Sequence, residues 1–252
     1  MTDLTARPLV LIVAFSALSL LPFALLMMTS FVRISVVLSI LRSAIGTPSV
    51  PPTQVLTGLA LVLTVAVMTP TAERVYAAVG PSFEAATSAK ATGAQTVSAL
   101  QAAADRGKEP LRDFMLRFVA AGDRASFLSL ARKMRNDQTG EPSEGSRPLP
   151  RGTPPGEAQR SPREAERASV TDRDFAVIVP AFVTSELRRA FQIGFLLFVP
   201  FLVVDLVIAN LLLALGMHML SPTTVSLPFK LLLFVMADGW HLVVRGLLQG
   251  FV

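Results

Sequence analysis

The chain has 252 residues, 52% of them hydrophobic and 16% charged, and its mean hydropathy of +0.55 is not that of an ordinary soluble domain. Without cysteine it can form no disulfide, thiolate metal site or thiol nucleophile. The net charge of +5 is no nucleic-acid signature either, because residues 73–171 hold 15 basic and 12 acidic side chains, mixed in sign and without interleaved aromatics.

The pattern is that of a membrane protein interrupted by a polar segment. Residues 8–32 carry no charge, which exceeds the roughly 20 apolar residues that cross a bilayer core. No small-residue exit motif of a cleavable signal follows, so an uncleaved first span is expected, bent at Pro22 and continuing to about Ala44. Gly46 and Pro48 supply a stop. A second span should run from Pro52 to Pro70, and the short link between them makes residues 1–72 an antiparallel hairpin.

In the polar segment, residues 73–136 should form small amphipathic helices. Pro110 opens one with Phe114, Met115, Phe118 and Val119 on a face; Asp123 caps another with Phe127, Leu130, Ala131 and Met134 at helical spacing. Residues 137–169 hold six prolines and four glycines with almost no large apolar side chain, and a disordered loop is expected there. Residues 170–252 then form a second hydrophobic hairpin. Thr171 and Asp174 make a capping pattern, Pro180 and Pro200 should divide the next helix into bent pieces, and Ser226 and Pro228 should start a last helix that Gly250 ends.

Charges inside these runs are costly, each roughly 2.5–3.5 kcal/mol at the bilayer centre on insertion scales. Arg33, Arg42, Glu186, Arg188, Arg189, Asp205, Lys230 and Asp238 should therefore face protein or water. At about 100° per residue, Lys230, Asp238, His241, Arg245 and Gln249 would share roughly one quarter of a continuous last helix. That stripe is either a solvated face or a polar seam between subunits, with Glu186 and Asp205 as available acceptors for Lys230 or Arg245, within one chain or between copies.

Between the last two apolar runs lies GMHMLSP, residues 216–222. A metal site at Met217, His218 and Met219 would need further ligands, and the other histidine, His241, lies in the next helix. Core filling competes, but the flanking breakers favour a loop. A soft constriction suits methionine, which is unbranched and polarizable and repacks around varied side chains.

No phosphate-binding loop, dinucleotide fingerprint, zinc helix or nucleophile–base pair is present, so no enzyme and no cofactor is expected. The strings TSFVRI, SELRRAFQIGF and LSPTTVSLPFKLLLF, within residues 20–72 and 174–245, closely resemble the export-gate family called FliP in flagella and SctR or YscR in injectisomes.

That resemblance implies an all-α fold of membrane-associated helical hairpins with kinked long helices, assembling into an oligomeric helical cone. It implies five copies, partnered by small membrane proteins of the SctS/FliQ and SctT/FliR families, around a conduit for unfolded secretion substrates. It implies a methionine gasket at Met217, His218 and Met219, where histidine departs from the usual all-methionine core and introduces pH sensitivity near neutrality. It also implies an inter-subunit ion pair between Glu186 and Lys230, and burial of apolar helices in protein as well as lipid.

Arg33 and Arg42 near the first hairpin turn point that turn to the cytoplasm, placing residues 73–171 in the periplasm of a bacterial inner-membrane protein. The apolar start near the N-terminus favours the injectisome branch, a virulence system. The competing functional readings are a solute or proton transporter coupled through Glu186, Arg188, Arg189 and Asp205, and a passive scaffold.

Overall fold

The structure is a computed structural model that describes residues 7–47, 50–87, 93–139 and 170–251. Among these residues all regular structure is helical: α1 (Arg7–Met27), α2 (Phe31–Ile45), α3 (Thr53–Thr87), α4 (Gly93–Phe118), α5 (Ala121–Thr139), α6 (Phe175–Ala214), α7 (Pro222–Met236) and α8 (Gly239–Gln249). They form two compact units, Met1–Leu111 with Glu186–Val252, and Arg112–Ser185.

In the first unit α2 is the core helix. Ile34, Val37, Leu38, Leu41 and Ala44 are all essentially inaccessible. The helix ends where the sequence predicts: Gly46 adopts φ +85°, a left-handed conformation that glycine tolerates without Cβ strain, and its N–H closes on the Arg42 carbonyl. Arg42 reaches across the turn to the Thr53 hydroxyl at 2.6 Å, fixing α2 and α3 as a hairpin. On another side α6 presses close. A Cβ at Gly194 would lie 2.4 Å from Ile40 Cδ1, so glycine is what allows that approach. Gly107 of α4 likewise meets Val79 of α3, and α1, α3 and α4 together line an open apolar groove of about 690 Å³ that includes Leu25, Met68, Val79 and Leu111.

The second unit is held by an aromatic cluster. Phe114 lies 5.0 Å from Phe118 and 5.9 Å edge-on from Phe182, with Met115 fully buried beside them. Arg112 stacks over Phe175 at 4.8 Å. The face expected from Phe114 and Met115 is therefore an interior one, whereas Leu130 and Met134 of α5 remain exposed.

Prolines break fewer helices than expected. α1 runs through Pro22 and ends at Met27, so the first span does not continue as one helix to Ala44. The interruption falls at Met28–Ser30, where the Thr29 hydroxyl donates to the Leu26 carbonyl and accepts from the Phe31 N–H, replacing helical backbone bonds. Likewise α3 continues past Pro70, α4 contains Pro110 instead of starting at it, and α6 runs unbroken through Pro180 and Pro200. One proline removes one N–H, while every other backbone group of an apolar helix still has no better partner than its own turn.

Two further expectations shift and one holds. Asp123 is the third residue of α5, not its cap. The Thr171–Asp174 pair forms as expected, with the Thr171 N–H and hydroxyl both donating to the Asp174 carboxylate, and the helix starts directly after it at Phe175. The last helix begins at Pro222, not Ser226, and is two helices, α7 and α8, bent by 62°. Of the loop expected at 137–169, residues 137–139 complete α5, and 140–169 lie outside the described residues.

Two helices among the described residues are long and apolar enough to cross a membrane, within Thr53–Glu84 and Phe175–Ala214. Forty residues of α6 extend about 60 Å at 1.5 Å each, twice a hydrocarbon core of about 30 Å. Only 17% of its most apolar window is buried within the chain. This polypeptide does not cover its own apolar surface.

Candidate gate loop and its ionic supports

The turn between α6 and α7 is built by its breakers. Gly216 at φ +72° ends α6 in a Schellman motif, its N–H bonded to the Leu213 carbonyl at 3.1 Å and the Met217 N–H to that of Leu212 at 2.9 Å. Pro222 opens α7, where a missing N–H costs nothing. Between them the chain coils tightly, with the His218 N–H on the Gly216 carbonyl and the Leu220 N–H facing that of Met217. Met217, His218 and Met219 are all exposed, Met219 to 99%. The segment is a loop with uncovered thioethers, not core filling.

Two buried ionic clusters brace the first unit. Arg33, 2% exposed, makes a bidentate pair with the fully buried Glu186: Nε to Oε2 at 2.7 Å and Nη2 to Oε1 at 2.6 Å. Its Nη1 donates to the Gly250 carbonyl at 2.9 Å, and its guanidinium lies 3.8 Å over the Phe251 ring. Arg189 adds a weaker 3.3 Å contact to Glu186 from the next turn of α6. Arg33 thus fastens α2 to α6 and to the chain after α8.

In the second cluster Lys230 of α7, 4% exposed, pairs with Asp205 of α6 at 2.7 Å and donates to the Ala44 carbonyl at 3.3 Å. Ala44 lies in the last turn of α2, where unpaired carbonyls carry partial negative charge that a cation stabilises. Ser226 donates to the other Asp205 oxygen. The partnership of Glu186 with Lys230 that the resemblance implies is not formed within the chain: each already has an opposite charge of its own.

The polar stripe is also redistributed. Asp238 takes φ 49°, ψ 49°, an unusual conformation for a residue with a Cβ, and sits at the elbow between α7 and α8. The elbow breaks the helical arithmetic. Lys230 faces inward, whereas Asp238, His241 and Arg245 are exposed, and α8 buries Gly239, Val243 and Leu247 instead. Nothing in Ala237–Asp238 marks a break by composition. The close fit at Gly239 does: a Cβ there would lie 2.2 Å from the Phe234 ring, which itself stacks edge-on against Trp240 at 5.3 Å.

Sequence reasoning missed three members of these networks: Arg33 as the partner of Glu186, Ser226 as the hydroxyl on Asp205, and Ser185. Ser185 donates to Asp123 at 2.7 Å and accepts the Ala120 N–H at 3.0 Å, securing the start of α5. The first two had a signal in the excess of charge inside apolar runs, but no periodicity links residues 153 positions apart. Among the described residues no group of three or more His, Asp or Glu is arranged to hold a metal.

The profile of the FliP family matches residues 14–247. The chain is 44% identical over 240 residues to the flagellar biosynthetic protein FliP of Pectobacterium carotovorum subsp. carotovorum, covering 95% of this chain and 77% of that protein. It is 36% identical over 252 residues to the probable translocation protein y4yL of Sinorhizobium fredii, covering 100% and 97%. It is 36% identical over 239 residues to the hypersensitivity response secretion protein HrcR of Ralstonia nicotianae, covering 95% of each.

Proposed function

The chain belongs to the FliP family, and on that premise we propose that it is a core subunit of a type III export gate in the bacterial inner membrane, conducting unfolded proteins and catalysing no reaction. Relatives named for flagellar biosynthesis, for translocation and for secretion all align across most of it, which supports an export role. Flagellar names are the more numerous, so the preference for the injectisome branch, and the virulence role it implied, is not carried forward.

The observation that carries the conduit is the combination of α6, largely uncovered along its apolar length, with the exposed methionine loop at its end. Such a surface needs further protein or lipid around it. The proposed enclosure is by five copies of this chain, joined by small membrane proteins of the SctS/FliQ and SctT/FliR families, so that Met217, His218 and Met219 of each copy close the conduit at rest. Residues 73–171 then face the periplasm. Asp238, His241 and Arg245, all exposed, are available for a polar seam with a neighbour, whereas an inter-subunit Glu186–Lys230 pair would require both side chains to leave Arg33 and Asp205.

A cysteine placed at Met217 tests the conduit. With an export substrate stalled in transit, it should crosslink to that substrate, while a cysteine at Tyr76, exposed on α3, should not; crosslinking at neither position would leave a scaffold. The transporter alternative assigns coupling to Glu186, Arg188, Arg189 and Asp205. It is weakened by Glu186 and Asp205 already being neutralised by Arg33 and Lys230. Proton or solute flux through the purified chain alone would restore it.

A further inference from the structure

We propose that the turn between α6 and α7 is a binding site for one soft monovalent cation, Cu(I) or Ag(I), held by the thioethers of Met217 and Met219 and the imidazole of His218. The donors suit that class of ion. Thioether sulfur is a poor ligand for hard cations and selects Cu(I), and imidazole serves the same metal as a neutral nitrogen donor. Two sulfurs and one nitrogen are three donors, enough for a soft monovalent ion that accepts low coordination, whereas a divalent ion would need the further ligands that the sequence does not supply nearby. The distance of His241, in the following helix, is then no obstacle.

The backbone favours convergence. In a strand, residues i and i+1 point to opposite faces and could not share an ion. Here residues 216–220 are wound into two successive tight turns, His218 N–H to Gly216 carbonyl at 3.1 Å and Leu220 N–H to Met217 carbonyl at 3.5 Å. Both methionines bring three rotatable side-chain bonds to the task. The Schellman motif at Gly216 and the proline at 222 hold the turn at both ends, so the ordering that a ligand would otherwise have to impose is partly in place.

Access is open as well. Met217 is 46% and Met219 99% exposed, His218 is exposed, and its ring makes no hydrogen bond among the described residues. Exposure alone does not make a site, and the chain provides its own comparison. Met236, at the end of α7, is 78% exposed but has no second thioether or imidazole beside it in sequence. The proposal goes beyond the conduit reading and does not depend on it, since one copy supplies all three donors.

The test uses the full chain in detergent with methionine methyl groups labelled with carbon-13, titrated with Ag(I) in chloride-free buffer and then, without oxygen, with Cu(I). The Met217 and Met219 methyl resonances should move together and saturate at a single equivalent, with the His218 ring signals following, while Met236 stays in place. His218→Asn should weaken binding by at least the roughly 10–100-fold that loss of even an outer-sphere partner costs a metal site. If Met236 shifts over the same concentration range, the thioethers are binding ions independently and the proposal is wrong. It is equally wrong if the loop methyls do not respond, or if His218→Asn binds as tightly. The comparison with Met236 is made in the native chain, so it stands even if a variant fails to fold.

Discussion

Arg33 shows how a charge comes to sit on the most buried helix of this chain. A lone guanidinium would be expensive there, but its fork meets both oxygens of Glu186, a third N–H meets a carbonyl, and an aromatic ring covers its face. Removing one partner strands the other. Arg33→Met or Glu186→Gln should therefore lower stability by about 3–5 kcal/mol, seen as a large fall in the unfolding midpoint in detergent. The double variant Arg33→Met with Glu186→Leu should recover most of that loss, because two well-packed apolar side chains need no partner. If the double variant is as unstable as the sum of the singles, the pair is not the unit described here. At the turn between α6 and α7 the sensitive residue is Gly216. Gly216→Ala should cost about 1–2 kcal/mol from the left-handed backbone alone and loosen the end of α6, measurable as faster amide exchange at Leu213–Met217.

At the scale of elements, the α7–α8 elbow and the α2–α6 crossing both depend on absent side chains. Gly239→Ala drives a methyl group into the rigid Phe234 ring, so it should destabilise by about 1–3 kcal/mol and Phe234→Leu should restore part of it. Gly194→Ala meets Ile40, whose outer methyl can rotate away, and should be the milder change of the two; thermal unfolding of both variants ranks them. The Gly46 stop was legible in the sequence because a left-handed residue after an apolar helix leaves a chemical mark. The GMHMLSP turn was legible for the same reason. Proline misled, since Pro70, Pro110, Pro180 and Pro200 read as punctuation but sit inside helices that lose a single bond to each. The elbow at Asp238 was invisible because the close packing of Gly239 on Phe234 that accompanies it is recorded by no spacing rule.

For the whole molecule, the fold class and the hydrophobic hairpins could be read from where apolar residues cluster; among the charges Asp205 could be offered to Lys230, whereas the pairing of Arg33 with Glu186 could not be read. Arg33, Glu186, Asp205 and Lys230 each announced that a partner was needed, and only the packing of α2 against α6 and α7 selected which. The uncovered length of α3 and α6 also sets an expectation for the intact particle. Extracted gently, it should have a mass several times the 27.0 kDa of one chain, with partner proteins bound. A homogeneous monomer from native membranes would contradict that.

The separation in sequence of the Arg33–Glu186 clasp has a consequence for biogenesis. Glu186 is added 153 residues after Arg33, a delay of roughly 8–30 s at ribosomal speeds of about 5–20 residues per second. Throughout that interval the newborn N-terminal hairpin lacks the Glu186 carboxylate that meets Arg33 in the folded chain, and the α2 terminus waits still longer for Lys230, 186 positions beyond Ala44. The first hairpin is therefore made well before the C-terminal groups that clasp it in the finished fold, so that part of its packing can form only once α6 and α7 have been synthesised.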